Sequence, residues 1–284
     1  MSGLRGGHSG GDIHKPRANA NKIIARMLSA ILQKKEIYLV QWDGGTKHNA
    51  ITRKSIVQFG VPSGQIGEVE LILSSEKESL FNYYQGLPEP FEPNMSIEWK
   101  VSEPKPYFSA KESKLIISTA NMIPSSVIRK SPVVEGLTET SNNLSIIKTE
   151  ESKFSIILLT RSAIGDELEA ARIAIGQIGK LAEWNVIRDP TSRTYPAWKP
   201  EPESPFLKFF KAQYEEFING PVEFEAVHGG LETGIIGDKI PGIQMVAIGP
   251  SIRNPHSPEE KLLIADVGVI YQLLKTILKE IPTL

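Results

Sequence analysis

Cysteine is absent from this chain of 284 residues, which removes disulfides and thiolate metal sites together. Any metal would have to be held by imidazole and carboxylate. No apolar run reaches the roughly 20 residues that a membrane span needs. Charge of one sign is also missing: 32 Lys and Arg face 33 Asp and Glu, a formal net charge of −1. Such a balance supplies no basic field for nucleic acid or an anionic membrane. The opening MSGLRGGHSGG has an arginine but no apolar core behind it, so it does not read as a secretion signal. A cytoplasmic protein without nucleic-acid or membrane partners is the expectation.

What is present is a globular composition, 40 % hydrophobic and 23 % charged, with alternating helix and strand patterns. Residues 18–34 place Ile23, Met27 and Ile31 on one helical face. EIYLVQW (36–42) and KSIVQFGV (54–61) read as strands around the turn pair Gly44-Gly45. A helix is expected within 64–85, a half-buried strand at MSIEWKV (95–101) and a helix over 111–123. LSIIKTEESKFSIILLTRS (144–162) reads as a hairpin, and 166–184 as an amphipathic helix with acids in its first turn.

RDPTSRTYPAWKPEPESP (188–205) holds five prolines and reads as a linker. Beyond it the pattern predicts a helix at FLKFFKAQYEEFING, a strand at VEFEAVHGG and a short helix at LETGIIG. A strand at IQMVAIGP and a long helix over 259–281 follow. The order argues for an α/β fold.

Several residues could carry chemistry. His256, in PHSPEE, sits between a predicted strand and the last helix, where α/β folds aim side chains into a cleft. Alone, such a histidine is more often a polar loop residue than a metal ligand. His8 lies in GGHSGGDIH, whose glycines permit close backbone approach to a ligand but also suit a flexible leader. Asn49 follows a strand and a glycine turn; its amide could stabilise an oxyanion or simply form the turn. Arg161 ends an apolar strand, and its planar fork could clamp a carboxylate or form a rim salt bridge. The pairs Glu150-Glu151, Glu215-Glu216 and Glu259-Glu260 fall in a hairpin turn, on a helix face and in a helix's first turn, which suffices to explain them.

Taken together, HSGGDIH, GGTKHNAI, TSNNLSIIKTEESKFSIILLTRS, VHGGLETG and IGPSIRNPHSPEE resemble the aminoacyl-histidine (Xaa-His) dipeptidases, carnosinase-like metallopeptidases with two zinc ions. The resemblance covers essentially residues 3–284. One departure is NAIT at 49–52, where the family has NAIP.

The resemblance implies a hydrolase that cleaves dipeptides, with His256 as a zinc ligand. It makes His8 a histidine on the lid that reaches a substrate oxygen, in some cases across a dimer, and Asn49 and Arg161 substrate-binding residues. Gly230 would lie beside the substrate. It divides the chain into a lid or dimerisation domain, 1–186, whose first strand is missing, and a C-terminal segment of the catalytic α/β domain, 187–284. A zinc pair needs about five protein ligands and a glutamate base. The five histidines of the chain never occur in the family's H-x-D pattern. The expectation is therefore one zinc ligand and little activity in isolation. A separate N-terminal half could complete the enzyme, or the chain could serve only as a dimerisation module, forming a homo-oligomer through its lid.

Overall fold

A computed structural model describes residues 1–102, 105, 108–151, 153–188, 196–226, 232–253 and 260–281. These fall into two compact units, one holding the described residues up to 188 and the other those from 196 onward.

The first unit runs in the order β1 (Gly7–His8), α1 (Ala20–Leu32), β2 (Tyr38–Gly44), β3 (Ala50–Ile51), β4 (Ser55–Gly60), α2 (Ile66–Gln85), α3 (Ala110–Met122), β5 (Ser126–Lys130), β6 (Thr138–Glu150), β7 (Lys153–Ser162) and α4 (Gly165–Leu181). Five strands make one antiparallel sheet in which β6 pairs with β2, β5 and β7. β1 and β3 form a separate two-stranded ribbon. The expected hairpin is present, and its first strand starts earlier than the apolar pattern suggested, at Thr138.

Helix α1 buries Ile23, Ile24, Met27, Leu28 and Ile31, the face that its periodicity marks. These side chains share a core with Leu39, Trp42, Leu144 and Ile147 of the sheet and with Ile116, Ile117 and Ala120 of α3. Trp42 is fully buried, and its Nε1 donates to Ser55 Oγ at 2.9 Å; such a partner is what a buried indole requires. Asn19 caps α1 by accepting from the backbone N–H of Asn21 and Lys22. Its Nδ2 donates to the carbonyl of Leu144 at 2.9 Å, tying the helix start to β6.

MSIEWKV departs from its expected strand. Met95 and Ile97 are buried, but the stretch makes only an isolated bridge, Ser2 to Ser96. Alternation records which side chains face a core; a strand additionally needs a neighbour to receive its backbone hydrogen bonds.

The second unit contains α5 (Pro205–Ile218), α6 (Glu232–Lys239), β8 (Ile252–Arg253), β9 (Lys261–Leu262) and α7 (Ile264–Glu280). Ser204 caps α5 through Leu207 N–H, with Pro205 at its first position. Phe210 of α5 packs with Leu273 and Ile277 of α7. The expected strands are not formed over 222–226 and 243–250, and the last helix starts later than its pattern implied, after β9. On α7, Ile264 is 81 % and Leu278 68 % exposed. This is the composition of sheet and covering helix, although among the described residues of this unit the only pairing is the two-residue antiparallel ribbon of β8 with β9.

Asn19→Ala should destabilise the first unit by about 2–3 kcal/mol, combining a lost cap with the loss of the shorter hydrogen bond to the Leu144 carbonyl. Asn19→Ser keeps a capping oxygen without burying a charge, so its cost should be smaller. Urea unfolding of the three proteins checks that order; equal stability of Asn19→Ala and the parent would show that α1 is not held this way.

Candidate functional site

The glycine-rich N-terminal stretch is an ordered loop closed at its neck. Glu92 is fully buried, and its carboxylate accepts from the backbone N–H of Arg5 at 2.7 Å and of Ala18 at 2.8 Å. Inside that loop, β1 sets His8 opposite Ala50 of β3. Asp12 accepts from the His8 backbone N–H at 3.0 Å and forms ion pairs with Lys15 and Arg17. Burial pushes the Asp12 carboxyl up, but hydrogen bonds from Lys15 and His8 and the charge of Arg17 outweigh it, so it titrates below its ordinary value. Such a depressed carboxyl stabilises the loop above the usual carboxylate range and loses that contribution as pH falls below it.

Asn49 sits in a turn whose backbone is held at three consecutive carbonyls. That of His48 accepts from Ser145 Oγ at 2.5 Å, that of Asn49 from Ser9 N–H at 2.8 Å, and that of Ala50 from Asn143 Nδ2 at 2.8 Å. Gly45 starts the turn at φ +84°, and a Cβ there would collide with the Ser145 carbonyl. Among the described residues no hydrogen bond claims the Asn49 carboxamide, which is half-buried. An amide on an immobilised backbone with its donors uncommitted is suited to meet a ligand oxygen.

Arg161 lies one residue from the end of β7, opposite Ser141 of β6. Its Nε donates to Ser9 Oγ at 3.2 Å. Burial alone pulls the guanidinium below its ordinary value, although arginine stays protonated at any ordinary pH. Among the described residues no carboxylate lies within ion-pair distance of it. A point 3.5 Å from Arg161 Cζ is also 3.1 Å from His8 Cε1, and it is where a side chain on Gly10 would begin.

Thus Ser9 joins the three expected residues of this unit. It follows His8 in the chain, binds the Asn49 carbonyl through its N–H and Arg161 through its hydroxyl. Sequence reading passed over Ser9, Gly10, Asn143 and Ser145, although HSG and TSNN were in view. The available signal was the run TETSNNLS, seven polar residues and one leucine, in a strand that pairs on both edges. All eight are buried, and a buried polar run on a central strand needs internal partners.

Gly230 and His256 lie outside the described residues. Among those described, no three His, Asp or Glu side chains converge on a point that could hold a metal ion. They do not supply the donors that a zinc pair needs. Glu215 accepts from Val222 N–H and Glu232 opens α6, both structural positions. No helix among the described residues is long and apolar enough to cross a membrane.

No protein-family model matches the chain. It is 33 % identical over 283 residues, 99 % of its length, to the cytosol non-specific dipeptidase of Escherichia coli (strain K12), of which the match covers 57 %. Its fold matches the crystal structure of aminoacylhistidine dipeptidase from Vibrio alginolyticus with a TM-score of 0.87 and 32 % identity, over 99 % of this chain and 56 % of that one. The chain therefore spans a little over half the length of the dipeptidases it matches, and these homologues are hydrolases of dipeptides.

If Asn143 and Ser145 hold the turn, replacing either with alanine should free the Ser9 amide, which the Asn49 carbonyl protects. Hydrogen exchange at Ser9 should accelerate about tenfold or more for the loss of roughly 1.4 kcal/mol of local stability. Unchanged Ser9 exchange in both variants would show that the turn is secured elsewhere.

Proposed function

We propose, from the premise that this chain is a homologue of cytosolic dipeptidases along its whole length, that it is the substrate-recognition part of such an enzyme. The observation that carries this reading is the convergence of His8 and Arg161 on the space beside Gly10, with Ser9 holding the Asn49 turn and Arg161 together. Arg161 would clamp the C-terminal carboxylate of a dipeptide. His8 and Asn49 would donate to the oxygen of the scissile carbonyl as it gains charge. A dipeptide brings one anion and one polarisable carbonyl, which are the groups these side chains can serve.

Metal dependence belongs to the same reading, with zinc as the ion, His256 as one ligand and Gly230 beside the substrate. Since the described residues lack the donor set, we assign no step through the metal; this chain's own part is to bind, orient and polarise. The partner needed for turnover is a polypeptide equivalent to the rest of the matched dipeptidases, in the same chain or a separate one. Two observations support it: the stretches 222–226 and 243–250 make no strand, and α7 leaves apolar side chains exposed. Cytoplasmic location and self-association through the first unit complete the proposal.

The test is complementation. The remaining part of a close relative, added to this chain, should restore hydrolysis of Xaa-His dipeptides, and His256→Ala should abolish it. Arg161→Ala should raise KM about 10- to 100-fold, the worth of roughly 1.5–3 kcal/mol for a charged hydrogen bond. Asn49→Ala should lower kcat by about 10²–10³ with less effect on KM. Full hydrolysis by the reconstituted His256→Ala protein would overturn the metal assignment; indifference to Arg161→Ala and Asn49→Ala would overturn the recognition assignment.

Without the complementing polypeptide, the exposed apolar side chains of the second unit should drive association. Light scattering should then show oligomers that the complementing part reduces. A clean monomer under both conditions would remove the apolar surface as support for a missing partner.

A further inference from the structure

We propose that Ser9 is the positioning residue for Arg161, and that by engaging Nε it commits the arginine to receive a carboxylate end-on, through Nη1 and Nη2. The inference rests on the reading of Arg161 as the carboxylate clamp and adds how the clamp is set.

A guanidinium offers two bidentate edges, one formed by Nε with an Nη and the other by the two Nη nitrogens. An arginine with both edges open can meet a carboxylate in either mode and in several side-chain conformations. Here Nε is already donating to Ser9 Oγ at 3.2 Å, which leaves the Nη1–Nη2 edge for a ligand. Ser9 is a firm anchor: it is 1 % exposed, and its own N–H is bound to the Asn49 carbonyl at 2.8 Å. The anchor thereby refers Arg161 to the same backbone that carries Asn49, so the spacing between carboxylate clamp and carbonyl donor is built through one residue.

Gly10 supplies the second half of the device. A side chain there would begin 3.5 Å from Arg161 Cζ and 3.1 Å from His8 Cε1, taking the space between them. In HSG, then, histidine faces the ligand, serine sets the arginine and glycine leaves room. A half-buried cation with no acid beside it among the described residues is expensive unless an anion arrives, and a planar anion with two oxygens matches the remaining edge. Lysine could not replace Arg161, because a single ammonium cannot both bind Ser9 and present two fixed parallel donors.

The full chain, with its arginine side chains labelled with ¹⁵N, tests this by nuclear magnetic resonance. Arg161→Lys identifies the Arg161 Nε–H signal. In the parent chain that proton should exchange with solvent about fivefold or more slowly than Nε–H of Arg172, whose guanidinium meets no hydroxyl among the described residues. Ser9→Ala should abolish the difference and Ser9→Thr, which keeps the hydroxyl, should restore it. The probes for binding are glycyl-histidine and its C-terminal amide. The acid should perturb the Arg161 Nη signals more than Nε–H, the amide should not, and Ser9→Ala should weaken acid binding about tenfold.

Fast Nε–H exchange in the parent chain overturns the proposal even if Ser9→Ala fails to fold. So does a Ser9→Ala protein that folds and keeps slow exchange, or a dipeptide that displaces Ser9 and takes Nε. Slow exchange lost in Ser9→Ala, with no response to either probe, supports the hold of Ser9 on Arg161 and overturns instead the dipeptide reading on which the carboxylate was assigned.

Discussion

The first unit depends on a strand of small polar residues placed where a hydrophobic strand would ordinarily lie. β6 pairs on both edges, and Thr138 to Ser145 are buried along it. Each buried polar group costs about 1–3 kcal/mol if left alone, so the surroundings are constrained to supply partners. Asn143 and Ser145 find theirs at the Ala50 and His48 carbonyls, Leu144 at Asn19, and Thr140 at Ser162. An apolar β6 could have packed against the same helix more cheaply, but it would have had nothing with which to fix the Asn49 turn. The polar strand turns a loop into a defined backbone, and that rigidity is what a donor to a developing charge requires.

Burial patterns were the part of the fold most readable from the sequence. Ile23, Met27 and Ile31 repeat at helical spacing and are buried as expected, and LSIIKTEESKFSIILLTRS does form a hairpin. Where the reading failed, it failed for one reason. MSIEWKV, the stretch around Val222 and IQMVAIGP have strand-like side chains, yet a strand exists only through a neighbour's hydrogen bonds. In the second unit that neighbour is not among the described residues, while the helices, whose backbone bonds are internal, form at 205–218 and 264–280. A sequence pattern records the environment a segment was shaped for, whereas a structure records the pairing it achieves.

The site was legible to a different depth. The residues singled out for their chemistry, His8, Asn49 and Arg161, rest on resemblance for their roles, and their arrangement was not readable from spacing, since 8, 49 and 161 are far apart in the chain. Antiparallel pairing of β1 with β3 and the end of β7 bring their neighbourhoods together. What escaped was the support: Ser9, Asn143 and Ser145 are common residues whose importance appears only once their burial and partners are known. The loop at the N-terminus is the clearest case. Its glycines suggest mobility, but Glu92, from 74 residues beyond Ala18, closes its neck.

Placing these donors on a preorganised unit has a consequence for catalysis. Groups that already hold their geometry lose little conformational entropy when a ligand arrives, so more of the binding energy is available to the reacting carbonyl. Ser9 holds Arg161 at Nε and Asn49 at its carbonyl together, which in the proposed reading would fix the groups that meet the two ends of the ligand. The arrangement would also discriminate: a ligand without a terminal carboxylate leaves a half-buried guanidinium unpaired, and one of the wrong length cannot reach both the arginine and the asparagine. In the proposed reading, the recognising groups all belong to the first unit, Ser9, Asn49 and Arg161 among them.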